Sequence, residues 1–256
     1  KGISGALVFT SGTTNSGDSG VITIASGTST GGFGGQIDIL VGSGTKDGGG
    51  TLSIRSGTTT QTGTTGTGGA FMLTAGSGKG ATGGSVSLVG GSGALTTSGS
   101  VTIKTMDAGT KGISGALVFT SGATTSGDSG VITVGSGSST GGHGGSITVT
   151  VGAGNKNVGG SVTVTAGLST AIGGGVVTVT SGAGNTVGGD MSVSGGAGTS
   201  NTGGAISIIS GTGAATTSGS VIIKTMDAGT KGISGALVFT SGTTNSGDSG
   251  VITIGS

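Results

Sequence analysis

Cysteine, proline, tryptophan and tyrosine do not occur in this chain of 256 residues. Without cysteine there is no disulfide staple and no thiolate metal site. Without proline, and without a glycine at every third position, a collagen triple helix is excluded, although 68 residues are glycine. Only Phe9, Phe33, Phe71, Phe119 and Phe239 could supply aromatic bulk to a core, so a conventional globular interior is not expected. Charge is equally sparse. Charged residues make up 7% of the chain, every acid is Asp, and the net charge is +1, which gives no field to attract nucleic acid or an anionic membrane. No apolar run approaches the ~20 residues needed to span a bilayer. No signal peptide is visible, and both ends fall inside repeats, which reads as a fragment of something longer.

What is present is a repeat. The run Gly159-Gly160-Ser161-Val162-Thr163-Val164-Thr165-Ala166-Gly167 opens on two glycines, alternates hydroxyl and apolar residues, and closes on a glycine. Val162 and Val164 share one face and the hydroxyl residues the other, the period-2 signature of a half-buried strand. Registered on an opening Gly-Gly or Ser-Gly pair, seventeen units appear, opening at Ser4, Ser19, Gly34, Gly49, Gly68, Gly83, Ser98, Ser114, Ser129, Gly144, Gly159, Gly174, Gly188, Gly203, Ser218, Ser234 and Ser249. Most spacings are 15; they are 19 after Gly49, 16 after Ser98 and Ser218, and 14 after Gly174. Positions 4 and 6 of every unit are apolar, from Leu7 and Phe9 to Ile252 and Ile254. β-Branched residues dominate there, as a pleated packed surface favours. Regular placement of this kind argues against the disorder that Gly/Ser/Thr-rich composition otherwise suggests.

A longer period overlies the short one. Lys1 to Ile24 recurs at Lys111 to Val134 with three changes and at Lys231 to Ile254 with none. The array therefore reads as one continuous domain over 1–256, with long-period units 1–110, 111–230 and a partial 231–256. One short unit cannot bury its own apolar face, so fixed-period repeats imply stacking. The predicted fold is all-β: a parallel β-solenoid of about 15-residue coils with Val/Ile/Leu ladders inside and a rise of about 4.8 Å per coil. A coil of two units, about 30 residues, also satisfies the pattern but would place the Lys1 and Lys111 blocks on opposite sheets. Corners are expected at the glycine doublet and at the glycine of position 9, with positive φ. The surplus of the 19-residue unit, around Thr58 to Thr67, is expected to leave the stack as a loop. On this geometry Val164→Asp buries an unpaired charge at a cost of several kcal/mol, whereas Thr163→Asp faces solvent.

Several short motifs match catalytic or binding patterns without the partners those patterns need. Gly17-Asp18-Ser19-Gly20 recurs at Gly127 to Gly130 and Gly247 to Gly250. A nucleophilic serine requires a general base and an orienting group, yet His143 is the only histidine for three copies. Gly27 to Gly31 and Gly137 to Gly141 have the spacing of a nucleophile elbow, but no helical pattern follows. Gly78-Lys79 suggests a phosphate loop, but Gly80 stands where Ser or Thr would hold Mg²⁺. Asp18, Asp128 and Asp248 recur only at the long period, with no D-x-D to ligate calcium. No catalytic residue, cofactor or metal site is assigned.

Thr148-Val149-Thr150, Thr163-Val164-Thr165 and Thr178-Val179-Thr180 are the most suggestive surface. Stacked, their hydroxyls would form a flat outward array resembling the T-x-T faces of insect β-helical antifreeze proteins, a resemblance confined to three units of seventeen. The phrases Ile113-Ser114-Gly115-Ala116-Leu117-Val118-Phe119-Thr120-Ser121-Gly122 and Gly144-Gly145-Ser146-Ile147-Thr148-Val149 resemble long Gly/Ser/Thr-rich tandem-repeat proteins of diatoms and related algae. That resemblance implies a secreted or cell-surface protein of matrix or adhesive type. The functional expectation is a structural fibre, extracellular or at the cell surface, self-associating end to end and doing no chemistry. The alternative is a module binding ice, carbohydrate or a solid surface through Thr148, Thr150, Thr163, Thr165, Thr178 and Thr180. Neither nucleic acid nor a membrane span is expected.

Overall fold

Alternating β-branched and hydroxyl residues favour extended backbone, because two heavy atoms on Cβ restrict χ1 and fit a pleated surface. In the computed structural model, which describes residues 4–46, 48–61, 65–156 and 158–255, each such run is free of turns and bends. Bends and turns fall between the runs, as at 15–17, 30–32, 140–142 and 170–172. Each repeat unit is thus a straight segment followed by a loop.

The loops are closed by one recurring bond. The amide of the second glycine of a unit donates to the carbonyl of position 9 in the unit before: Gly35 to Gly27 at 3.1 Å, Gly84 to Gly76 at 2.8 Å, Gly160 to Gly152 at 3.1 Å, Gly175 to Gly167 at 2.9 Å. We call this bond the clasp. At the tighter necks it favours glycine for a steric reason. A Cβ on Gly145 would lie 3.0 Å from the Ser136 Cβ, and one on Gly160 would lie 3.2 Å from the Val151 Cβ. The glycine at position 9 carries no such constraint, since a Cβ on Gly137, Gly152 or Gly167 would meet nothing within 4 Å. Position 8, facing the clasp glycine, holds small residues or Val, and the neck is the least exposed part of the chain: Ser11, Ser56, Ala75, Ala166, Ser181 and Ser210 are half-buried.

Two other closures occur. At 109–112 and 229–232, where Met106 and Met226 replace the position-9 glycine, tight turns carry Gly112 N–H to the Gly109 carbonyl and Gly232 N–H to the Gly229 carbonyl, both at 3.1 Å. The three Gly-Asp-Ser-Gly loops are held by side chains. Thr14 Oγ1 donates to the Ser16 carbonyl (2.7 Å) and accepts from the Ser16 amide (3.2 Å), and Thr124 and Thr244 repeat the pair with Ser126 and Ser246. The next residue then turns through positive φ, 92° at Gly17, 101° at Gly127 and 111° at Gly247. Positive φ thus lies not at the doublet or position 9, where corners were expected, but at these three loops and at Gly48. In the 19-residue unit the neck is closed by Gly69 N–H to the Gly57 carbonyl at 2.9 Å; of the surplus expected around Thr58 to Thr67, residues 62–64 lie outside the described residues.

No helix and no strand occurs among the described residues, and no hydrophobic side chain there is buried. This overturns the expected parallel β-solenoid, in its 15-residue and its 30-residue form alike. A solenoid needs segments one coil apart to pair, and the backbone bonds here join the two ends of single loops instead. The ladder residues do not face an interior: Val162 is 57% exposed and Val164 73%. The accessible surface is 25008 Å². A compact chain of 23.0 kDa would show about 9,600 Å² and an unfolded one about 33,000 Å².

Internal contacts divide the chain into two units, Lys1–Ile132 and Thr133–Ser256. The first contains clasps from Gly35 to Gly99, the turn at Gly112 and two Thr-braced loops. The second contains clasps from Gly145 to Gly219, the turn at Gly232 and one Thr-braced loop. The division falls within the straight segment of the repeat that opens at Ser129.

Candidate functional site

The surface that recurs from unit to unit among the described residues is the straight segment. Each segment offers apolar side chains at positions 4 and 6, flanked by hydroxyl residues in many units and by others, such as Asp38, Leu40, Met72 and Lys224, elsewhere. Position 4 is the more shielded in every unit except those of Leu7 and Phe71: Ile147 is 53% exposed where Val149 is 75%.

The six threonines singled out by the sequence are all exposed and lie on three consecutive segments. The clasped loops Gly152 to Gly160 and Gly167 to Gly175 separate those segments. Among the described residues no hydrogen bond links Thr148, Thr150, Thr163, Thr165, Thr178 or Thr180 to one another.

The serines of the Gly-Asp-Ser-Gly motif, Ser19, Ser129 and Ser249, stand exposed at loop ends, and His143 stands exposed after a separate bend. The loops at Ser11 to Ser19 and Ser121 to Ser129 enclose open hollows; Thr58 and Thr60 also line the first, alongside Asp18. No group of three or more His, Cys, Asp or Glu residues that could hold a metal is found among the described residues. Of the other side-chain bonds, the Ser26 and Ser136 hydroxyls donate across loop necks to the Gly35 and Gly145 carbonyls at 2.7 Å. The rest are local, as where Gln36 Nε2 donates to Asp38 Oδ1 at 2.6 Å and Ser169 Oγ accepts from the Ala171 and Ile172 amides. No helix among the described residues is long and apolar enough to cross a membrane.

The feature that sequence reasoning passed over is the clasp. Its signal is legible in hindsight: the second residue of the opening pair is glycine in all seventeen units, while the first alternates between glycine and serine. Compared with protein-family models, curated proteins and solved structures, the chain finds no match.

Proposed function

We propose that this chain is a structural repeat protein of an extracellular or cell-surface fibre or matrix, resembling in kind the Gly/Ser/Thr-rich tandem-repeat proteins of diatoms and related algae. The observation that carries the reading is the repeated segment itself: half-exposed Val, Ile and Leu among hydroxyls, presented without an interior to receive them. A chain that leaves this much apolar surface uncovered is built to meet something else, since exposed patches of this extent mark interaction surfaces. Association of copies into filaments belongs to the reading, and no catalytic chemistry is assigned. Sedimentation and electron microscopy of purified chain test it. Filaments of uniform width are expected, and a species that stays monomeric at high concentration overturns it.

A second reading is favoured by the exposure of Thr148, Thr150, Thr163, Thr165, Thr178 and Thr180 on consecutive segments. It makes the chain a binding module for ice, carbohydrate or a solid surface. Replacing the six with Val and measuring thermal hysteresis and retention on polysaccharide or mineral tests it. Unchanged behaviour in every assay removes the reading.

A further inference from the structure

We infer that the segments are covered by a second copy of this chain, paired laterally and in parallel register, each segment beside the same segment of its neighbour. The inference deepens the structural reading above and rests on it.

The backbone points to pairing. Among the described residues the backbone bonds lie at loop necks and tight turns, and positions 3 to 7 of the units make none. An extended run of unpaired N–H and C=O groups is a template for another strand. The chain has no proline to interrupt such pairing. A lone pair of short segments is marginal in water, but seventeen segments on one chain make the contact together. The uncovered surface points the same way: at 25008 Å² the isolated chain exposes about 15,000 Å² more than a compact chain of its mass, far above the 1,200–2,000 Å² that a stable interface needs.

The register follows from the unequal units. Spacings of 19 after Gly49, 14 after Gly174 and 16 after Ser98 and Ser218 interrupt the 15-residue period. With copies parallel and unshifted, every loop lies against a loop of its own length and every position 4 against a position 4. Antiparallel pairing, or a shift by one unit, sets unequal loops against each other. Parallel stacking also places each charge on its own counterpart. Charged residues are only 7% of the chain and none occupies position 4 or 6, so like-charge repulsion touches few segments.

Two measurements test this. The chain has no cysteine, so Ser161→Cys gives a unique exposed attachment point for a nitroxide. Each paired copy leaves its outer edge open to the next, so in parallel register the labels form a continuous stack about 4.8 Å apart. The assembled protein should then show one exchange-narrowed line in place of three, and an excess of unlabelled chain should restore the three. The unsubstituted chain, labelled with ¹³C at the phenylalanine carbonyls, should give a nearest like-site distance of about 4.8 Å by solid-state dipolar recoupling. Assembled material with three lines and longer carbonyl distances overturns the pairing and leaves the structural reading standing. A chain that stays monomeric at high concentration overturns both. Monomers captured by ice, polysaccharide or mineral also overturn self-pairing and support the binding module.

Discussion

Glycine at the second position of each unit and glycine at the ninth look alike in the sequence and do different work. Gly145 sits where a methyl group would strike Ser136, while Gly137, across the same clasp, has open space. Gly145→Ala should open that clasp, a loss of ~0.5–1.5 kcal/mol for one amide bond. Gly137→Ala should be neutral or slightly favourable, because it restricts the unfolded chain. Amide exchange at residue 145 in the two variants distinguishes them, with faster exchange expected only in the first. Gly127→Ala meets no steric contact but must hold a φ of 101°, so it should loosen its Thr-braced loop by ~1–2 kcal/mol. Val164 and Thr163 show how exposure replaces the inside/outside distinction. With Val164 73% exposed, Val164→Asp and Thr163→Asp should each change local stability in the dispersed chain by no more than ~0.5 kcal/mol.

Segment and loop are the two elements, and they should respond differently to solvent. In dispersed chain the clasp amides of Gly84, Gly160 and Gly175 should exchange more slowly than those of Val162 to Thr165, which have no backbone partner. On assembly the order should reverse, the segment amides becoming the most protected. Exchange mass spectrometry on both states reads this directly. The segments were legible in the sequence because period-2 alternation, as at Ser161 to Thr165, reports backbone conformation and shared faces. The same alternation fits pairing within a chain or between chains, and so it suggested a solenoid that the described residues lack. The loop positions were legible from their glycines, but not their closure. The bond from the second glycine to the ninth position is a contact across a loop, and so is the bond from the Ser136 hydroxyl to the Gly145 carbonyl at 2.7 Å; neither shows in the alternation of the segments. The six threonines lie exposed on consecutive segments, and the array that would make them a flat face needs neighbouring segments to pair. Thr14 and Ser16 held a readable signal for the positive φ at Gly17, since a threonine hydroxyl bonding two residues ahead makes a local turn.

For the molecule as a whole, low charge sets how association should depend on salt. With a net charge of +1 and 7% charged residues, sodium chloride has little repulsion to screen, so assembly should hardly change between low and moderate ionic strength. Sulfate should promote it strongly, because it is excluded from the apolar surface that association covers. Light scattering across a series of both salts checks this, and a strong chloride dependence would mean that ionic contacts drive assembly instead. The clasp carries a further consequence, in mechanics. Each one ties off a loop of about eight residues, hiding roughly 27 Å of contour at ~3.4 Å per residue. It does so with a single backbone bond whose net worth is ~1 kcal/mol. A closure that weak opens and recloses many times before a load is fully applied. Stretched from its ends, the chain should therefore lengthen smoothly at low force and retrace its path on release, with no sawtooth of ruptures. A strand of such links behaves as a soft, reversible spring, with slack stored in every clasped unit between one segment and the next.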